Sequence, residues 1–297
     1  MLSRIQFDVL STLATSKGKL TQRQLEECTQ HSLGSINKAM KELSQSGFVD
    51  NGAITSSGLD ALEPYRAKRA VFIAAGFGSR LVPVTLNTPK PLVRVNGKRI
   101  IDGLIEACLD EGISEIYIVR GYLAEQFDQL LYKYPMLKFL ENPAYNEANN
   151  ISSAMVARYL LQNAYVLESD IVVNNPGIIS KYHYTSDFLC VKTQRTDDWC
   201  VQVKDGVIMD EKVGGEGDNI WRLYGISYWN GADGRRLCDD LADVYQSPGG
   251  KERYWEQVPL VFCKDHYKVA VRACSEGDVI EIDTFRELKE LDHTYDV

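Results

Sequence analysis

The chain has 297 residues, 44% of them hydrophobic and 25% charged, and 33 Lys/Arg against 41 Asp/Glu give a net charge of −8. That balance belongs to a folded globular protein of about two domains and excludes disordered, collagen-like and low-complexity readings. It also excludes a surface that binds polyanions along its whole length. The charge is uneven: residues 1–68 carry eight basic and seven acidic residues, net +1, and the rest carries 25 and 34, net −9. Two units with different partners are expected, 1–67 and 68–297. Seven cysteines (28, 108, 190, 200, 238, 263, 274) show no CxxC, and the four histidines (31, 183, 266, 293) show no ligand spacing. Reduced thiols are therefore expected and a zinc site is not. Arg4, Gln6 and Asp8 break the apolar residues of the N-terminus, and no 18-residue apolar run occurs. The expectation is a cytoplasmic protein with no membrane contact.

In chain order, Ile5, Val9, Leu10 and Leu13 share one helical face. Thr21-Gln-Arg-Gln24 is a capping box that opens a second helix, through Cys28. A third runs from about Leu33 to Ser46, with Leu33, Ile36, Met40 and Leu43 as its apolar stripe. Two short β-prone runs flank Asp50-Asn51-Gly52, a strong hairpin signal, and a last helix is expected over about 57–66. A helix, a helix–turn–helix and a hairpin together resemble a winged helix–turn–helix domain. Gly47-Phe-Val through Ile54-Thr-Ser-Ser-Gly58-Leu-Asp-Ala-Leu resembles the wing of MarR-type regulators. The resemblance makes residues 1–67 a candidate DNA-binding unit, with Ser32, Ser35, Asn37, Lys38 and Lys41 exposed on the third helix. A net charge of +1 is small for that task, and the alternative is an interaction or oligomerisation module.

Lys68-Arg-Ala-Val-Phe-Ile-Ala-Ala75 is an apolar strand that runs into Gly76-Phe77-Gly78-Ser79-Arg80. Glycine at such a turn lets backbone N–H groups approach phosphates, and Arg80 and Lys90 stand just downstream. No P-loop is present, and the third glycine of a dinucleotide fingerprint is missing. Helices over 102–111, 124–134 and 151–161 then alternate with strands over 115–120, 138–140 and 164–167. The fold class is therefore α/β, with a doubly wound, mostly parallel sheet whose ligands lie beyond the carboxyl ends of its strands. Tyr165-Val-Leu-Glu168 ends in Ser169-Asp170, which points a carboxylate at that crevice, although Asp is common after strands and the alternative is a helix or turn cap. Val279-Ile-Glu-Ile-Asp283 alternates like a strand, with Ile280 and Ile282 on one side and Asp283 on the other. Thr284-Phe-Arg-Glu287 is a capping box for a terminal helix, to which Asp283 could simply belong.

Ile73-Ala-Ala-Gly-x-Gly-Ser-Arg80-Leu, followed by Pro83, Thr85 and Pro89-Lys90-Pro-Leu, resembles the signature of nucleotidyltransferases with a Rossmann-like domain. Ile118-Val-Arg-Gly121-Tyr122-Leu, Tyr145-Asn, Asn149-Asn150, Asp197-Asp-Trp199, Gly225-Ile-Ser-Tyr-Trp229, Tyr254-Trp255-Glu256 and Ile280-Glu-Ile-Asp283 extend the likeness over 69–297, to the bacterial CTP:phosphocholine cytidylyltransferases. The resemblance implies that Ala74, Ala75, Gly76, Phe77, Gly78, Ser79, Gly121, Tyr122 and Asn150 bind the nucleotide. It implies that Arg80 and Lys90 serve the reacting phosphates and that Asp170 and Asp283 hold Mg²⁺. Two departures, Arg120 and Asn149-Asn150-Ile-Ser, fall where base or ribose recognition is expected.

The aromatic residues add an argument of their own. A quaternary ammonium has no N–H, so π faces and nearby carboxylates must hold it. Trp199, Trp229, Tyr254, Trp255 and Glu256, with Asp197, Asp198 and Glu252 close in sequence, supply both, although large aromatics can equally fill a core. The expected partners are CTP and phosphocholine, with DNA as a candidate for residues 1–67. A sugar phosphate or an aminoalkylphosphonate is the alternative acceptor. A regulator whose α/β domain only senses a ligand is the alternative class. Oligomeric state is left open, a homodimer included.

Overall fold

The computed structural model describes residues 1–16 and 18–296 and divides into two units, Met1–Arg66 with Tyr182–Tyr184, and Ala67–Lys181 with Thr185 onward. The first unit opens with α1 (Arg4–Thr15), α2 (Gln22–Thr29) and α3 (Leu33–Gln45). Ser3 with Gln6 and Thr21 with Gln24 form reciprocal capping boxes that satisfy free N–H groups of the first two helices. The hairpin of β1 (Val49–Asp50) and β2 (Ala53–Ile54) turns on Asn51 and Gly52, whose φ of 47° and 77° are those a two-residue hairpin turn requires. The expected fourth helix is shorter than the pattern suggests: α4 (Ser56–Leu62) tightens into a 3₁₀ turn over Glu63–Tyr65, where Pro64 removes a donor. Val9, Leu10, Leu25, Ile36, Leu43 and Leu62 form the core, a winged helix–turn–helix arrangement. Asn37, Lys38 and Lys41 lie exposed along α3.

Three residues distant in sequence complete this unit. The Tyr184 ring lies 5.4 Å from Phe7 and stacks on Tyr65 at 5.8 Å, and its hydroxyl donates to the Leu2 carbonyl.

The second unit runs β3 (Arg69–Ile73), the small hairpin β4 (Arg94–Val95) and β5 (Lys98–Arg99), α5 (Ile100–Asp110), β6 (Glu115–Arg120), β7 (Lys138–Glu141), α6 (Ile151–Ala157) and β8 (Ala164–Glu168). It continues with β9 (Ile171–Val173), β10 (Asp187–Lys204), β11 (Val207–Trp229), α7 (Gly231–Gln246), β12 (Ala270–Cys274), β13 (Val279–Glu281) and α8 (Phe285–Leu291). Seven strands form one sheet in the order β10-β12-β11-β8-β3-β6-β7. The pairs β8–β3, β3–β6, β6–β7 and β10–β12 are parallel, and β11 runs antiparallel to β8. β3 is buried on both faces, as a parallel central strand requires. Phe72 packs into one layer with Leu104, Ile118 and Leu167, and Val71 and Ile73 into the other with Val119, Val166 and Trp229. Each such side chain contributes about 1.5–3 kcal/mol. The segment expected as a helix over 124–134 is instead 3₁₀ over Ala124–Tyr132. Helical spacing of apolar residues does not separate the two geometries over a few turns. Among the described residues no helix is long and apolar enough to cross a membrane.

Tyr184→Ala should lower the stability of the first unit by about 1–3 kcal/mol, through the lost ring contacts. Urea unfolding followed by a probe on α1 measures this, and an unchanged midpoint would show that Tyr184 contributes nothing to that core.

Candidate active site

The carboxyl ends of the adjacent parallel strands β3 and β8 carry the two segments on which the site is built. β3 leads into Ala74–Gly78, whose start is fixed by two backbone bonds, Ala74 N–H to the Val119 carbonyl and Tyr122 N–H to the Ala75 carbonyl. Gly78 takes φ 61°, and a Cβ there would lie 3.0 Å from Lys90 Cβ and 3.1 Å from Thr85 Cγ2. Glycine is therefore needed both for the turn and for the approach of Lys90. β8 ends at Glu168, and Ser169 donates to the Ile73 carbonyl at 2.7 Å, which ties the two strand ends together.

Asp283 arrives from the far end of the chain. β13 pairs antiparallel with β9, Glu281 opposite Ile171, and the Ile282 N–H donates to the Asp170 carbonyl. This two-stranded ribbon lies outside the main sheet and sets Asp283 beside Asp170. Lys90 Nζ is 2.8 Å from Asp170 Oδ2 and 3.5 Å from Asp283 Oδ1, and Arg80 Nη2 is 2.7 Å from Asp283 Oδ1. The Thr284–Glu287 capping box forms as well, so Asp283 stands next to the cap while its side chain faces the cations. Burial favours a neutral Lys90, but Asp170, Asp283 and Glu281 outweigh it and hold its pKa above the ordinary value. Burial raises Asp283, against the opposing pull of Lys90 and Arg80.

Two cavities, each of ≈ 330 Å³, meet at this cluster. The first is walled by Ala74, Ala75, Gly76, Gly78, Ser79, Arg80, Lys90, Asn150, Asp170 and Asp283, with Asn142, Ser152 and Ser153 adding polar groups. Asn142 is buried and donates to both serine hydroxyls, at 2.9 and 3.0 Å. Phe77, Gly121 and Tyr122, expected at the nucleotide, do not line this cavity. Phe77 packs on Tyr122 and Tyr145, the Tyr122 hydroxyl donates to the Thr85 and Leu86 carbonyls, and a Cβ at Gly121 would strike the Tyr145 ring. Through Tyr145, which lines the cavity, Phe77 and Gly121 adjoin it without lining it. Arg120 also faces elsewhere, paired with Asp128 and Glu141 over the Phe139 ring.

The second cavity is lined by Asp198, Trp199, Trp255, Glu256 and Glu281, and shares Arg80, Asn150, Glu168, Asp170, Tyr254 and Asp283 with the first. Trp199 and Tyr254 meet edge to face at 5.4 Å. Trp229 does not belong to this wall. It is 0% exposed, packed on Phe188, Trp255 and Tyr267, with its indole N–H given to Ser227. Asp197 is 93% exposed and pairs with Arg195, and Glu252 gives only its carbonyl, to Asn149.

Sequence reasoning missed Glu168 and Glu281. Glu281 was open to inference, because two-residue periodicity places it on the same side of β13 as Asp283. Burial, then Glu256 and Asp170, drive the Glu168 pKa well up, and burial with Asp170 and Asp283 does the same to Glu281. Glu256 is pushed up to about 7, chiefly by burial. Asn150 joins the two cavities: its amide donates to Glu168 at 3.1 Å and Glu256 at 3.4 Å and accepts from the Trp255 N–H at 2.9 Å. Trp255 Nε1 also donates to Glu168, at 3.2 Å.

The Asp170 Oδ1 atom is buried without a hydrogen-bond partner, and oxygens of Asp170, Glu281 and Asp283 lie within 4.8 Å of one another. An all-carboxylate set with an unsatisfied oxygen fits a hard divalent cation such as Mg²⁺.

A glycine-walled cavity with paired cations and carboxylates at a strand-end crevice defines a nucleotidyltransferase. The Nucleotidyl transferase family model matches residues 69–193, and the MarR family model matches residues 2–53. The 2-aminoethylphosphonate cytidylyltransferase of Lancefieldella rimae is 32% identical over 230 residues, 76% of this chain and 92% of that protein. The choline-phosphate cytidylyltransferase of Streptococcus pneumoniae is 31% identical over 75% of this chain and 96% of its own. The solved CTP:phosphocholine cytidylyltransferase from Streptococcus pneumoniae superposes with a TM-score of 0.70 at 29% identity, covering 76% of this chain and 98% of that one. The chain belongs to the nucleotidyltransferase family and is an enzyme of that class. Both of these relatives align along almost their whole length and are cytidylyltransferases, and in this chain a MarR-type winged helix precedes the catalytic domain.

Gly225 on β11 faces Glu168, and a Cβ there would lie 2.3 Å from Glu168 Cγ. Gly225→Ala should destabilise the catalytic unit by about 1–3 kcal/mol. Adding Glu168→Gly, which removes both the Cγ at 2.3 Å and the Cβ at 2.6 Å from the new methyl, should restore part of that loss in thermal unfolding. A double variant no more stable than Gly225→Ala would show that the clash lies elsewhere.

Proposed function

We propose that the enzyme transfers a cytidylyl group from CTP to a small phosphate or phosphonate that carries an amine, releasing pyrophosphate. The observation that supports this is the place of Asp170 and Asp283, with Lys90 against both, on the seam between the glycine-walled cavity and the cavity of aromatic faces and buried carboxylates. In this reading the triphosphate lies along Ala74–Ser79. An oxygen of the acceptor's phospho group bonds to the α-phosphorus of CTP, and the bond from that phosphorus to the bridging oxygen of pyrophosphate breaks in line. A dianionic acceptor already carries the attacking electron pair, so no residue has to remove a proton. Lys90 and Arg80 neutralise charge on the transferring and leaving phosphates, and positioning supplies most of the rate. Asp170 and Asp283, with Glu281 beside them, would hold Mg²⁺, which when bound supplies Lewis-acid charge neutralisation to phosphate oxygens. Asp170→Asn and Asp283→Asn should each lower kcat at least a hundredfold while the thermal midpoint stays within a few degrees. Steady-state kinetics and thermal unfolding check both, and near-normal turnover by either folded variant removes that residue from the site.

Within that reaction the carboxylates favour a primary ammonium. Glu168, Asp198, Glu256 and Glu281 line the cavity, and an acceptor with N–H groups satisfies their oxygens where a trimethylated head cannot. An aminoalkylphosphonate acceptor is therefore the first choice. Phosphocholine is the second, supported by the Trp199 and Tyr254 rings. Pyrophosphate release with CTP should be faster by kcat/KM, about tenfold or more, for 2-aminoethylphosphonate than for phosphocholine, and glucose 1-phosphate should be inert. The reverse order establishes the aromatic cage, and activity on the sugar phosphate alone removes the cationic acceptor altogether.

A bound cation favours ionised Glu256. Acceptor affinity should therefore rise with pH up to about 7, where Glu256 loses its proton in the free enzyme, and level off above. Glu256→Gln should weaken acceptor binding and flatten that rise, leaving only the acceptor's own ionisation. An identical pH profile in the variant excludes Glu256 from the amine site.

For the first unit we propose DNA binding through α3, on which Asn37, Lys38 and Lys41 are exposed. Binding to duplex DNA should fall with salt at a log–log slope of about −0.9 per phosphate contacted, and Lys38→Ala should lessen that slope by about one such unit. A lack of binding at low salt excludes this role.

A further inference from the structure

We propose that Asp240, Cys263 and His266 form a zinc site separate from the active-site carboxylates. Cys263-Lys-Asp-His266 has the short spacing of a chelating pair, which a search for histidine–histidine spacing passes over. The third ligand comes from α7, where Asp240 is 7% exposed. Asp240 Oδ2 lies 2.8 Å from His266 Nδ1, and one ligand atom from each of the three residues falls within 4.8 Å of the others. The Tyr267 hydroxyl donates to the same carboxylate at 2.5 Å, the kind of outer hydrogen bond that orients a ligating carboxylate.

Sulfur, imidazole and carboxylate donors together suit zinc and not Mg²⁺, which takes oxygen donors. On binding, the Cys263 thiol gives its proton to solvent, a sulfur–zinc bond forms, and a water completes the tetrahedron. Such an ion would brace the acceptor wall. Cys263 closes the π-helical turn Val258–Phe262, its N–H bonded to the Val258 carbonyl at 2.8 Å. At the other end of that turn the Leu260 N–H holds the Glu256 carbonyl at 3.2 Å.

The test uses the full chain, freed of metal by a chelator and titrated with cobalt(II) alone. One equivalent should produce a thiolate-to-cobalt charge-transfer band, and one equivalent of zinc should remove it. A band of this kind reports only a thiolate site, so ions on Asp170 and Asp283 do not contribute. Cys263→Ser should abolish the band. His266→Ala, at a side chain that is 51% exposed, should fold normally and weaken cobalt binding at least tenfold. Absence of the band in the wild-type chain, its persistence in Cys263→Ser, or unchanged cobalt affinity in His266→Ala would each overturn the site. If Cys263→Ser does not fold, the His266→Ala titration decides alone.

Discussion

One buried ammonium determines whether the active site can exist. β9 and β13 force Asp170 and Asp283 together and bring Glu281 with them, and β8 delivers Glu168 to the same place. Burial raises the pKa values of Glu168, Glu281 and Asp283, and the repulsion of neighbouring carboxylates in the low-dielectric crevice adds to it. Lys90, held in a 3₁₀ turn and almost fully buried, is the cation that offsets it from within, and Arg80 does so from the rim. A site that gathers carboxylates around one lysine favours cations, and the divalent metal ion and the amine-bearing acceptor of the proposed reaction are both of that kind.

The two cavities are linked by shared side chains. Asn150 ties Glu168, Glu256 and the backbone of Trp255 into one hydrogen-bonded cluster, so a displacement on either side is felt on the other. Gly225 completes the arrangement by leaving room, since Glu168 occupies the space a side chain on β11 would take. Antiparallel β11 beside parallel β8 is what puts that glycine opposite the carboxyl end of β8.

Local chemistry was legible in the sequence wherever it acts locally. The capping boxes at Thr21 and Thr284, the Asn51-Gly52 turn and the strand running into Gly76–Gly78 all follow from neighbouring residues, and all are present in the fold. Lys90 and Asp170 stand out from the residues themselves, after a glycine loop and at a strand end, whereas Asp283 reads equally as part of a helix cap and is paired with Asp170 only through the family resemblance. What was not legible depends on long-range packing. Trp229 reads like a binding residue until a core layer closes over it, and Tyr122, placed at the nucleotide by the family resemblance, gives its hydroxyl to the Thr85 and Leu86 carbonyls. The assignment of Tyr184 to the winged-helix core joins residues 7, 65 and 184, a distance no periodicity spans.

The most direct measurement is a crystal structure of the full chain with an unreactive CTP analogue, Mg²⁺ and 2-aminoethylphosphonate. The expected result places an α-phosphate oxygen on Lys90 Nζ, the metal ion on Asp170 and Asp283, and the amine among Glu168, Glu256 and Glu281. An α-phosphate distant from Lys90, or an amine directed to solvent, would contradict the assignment of the two cavities.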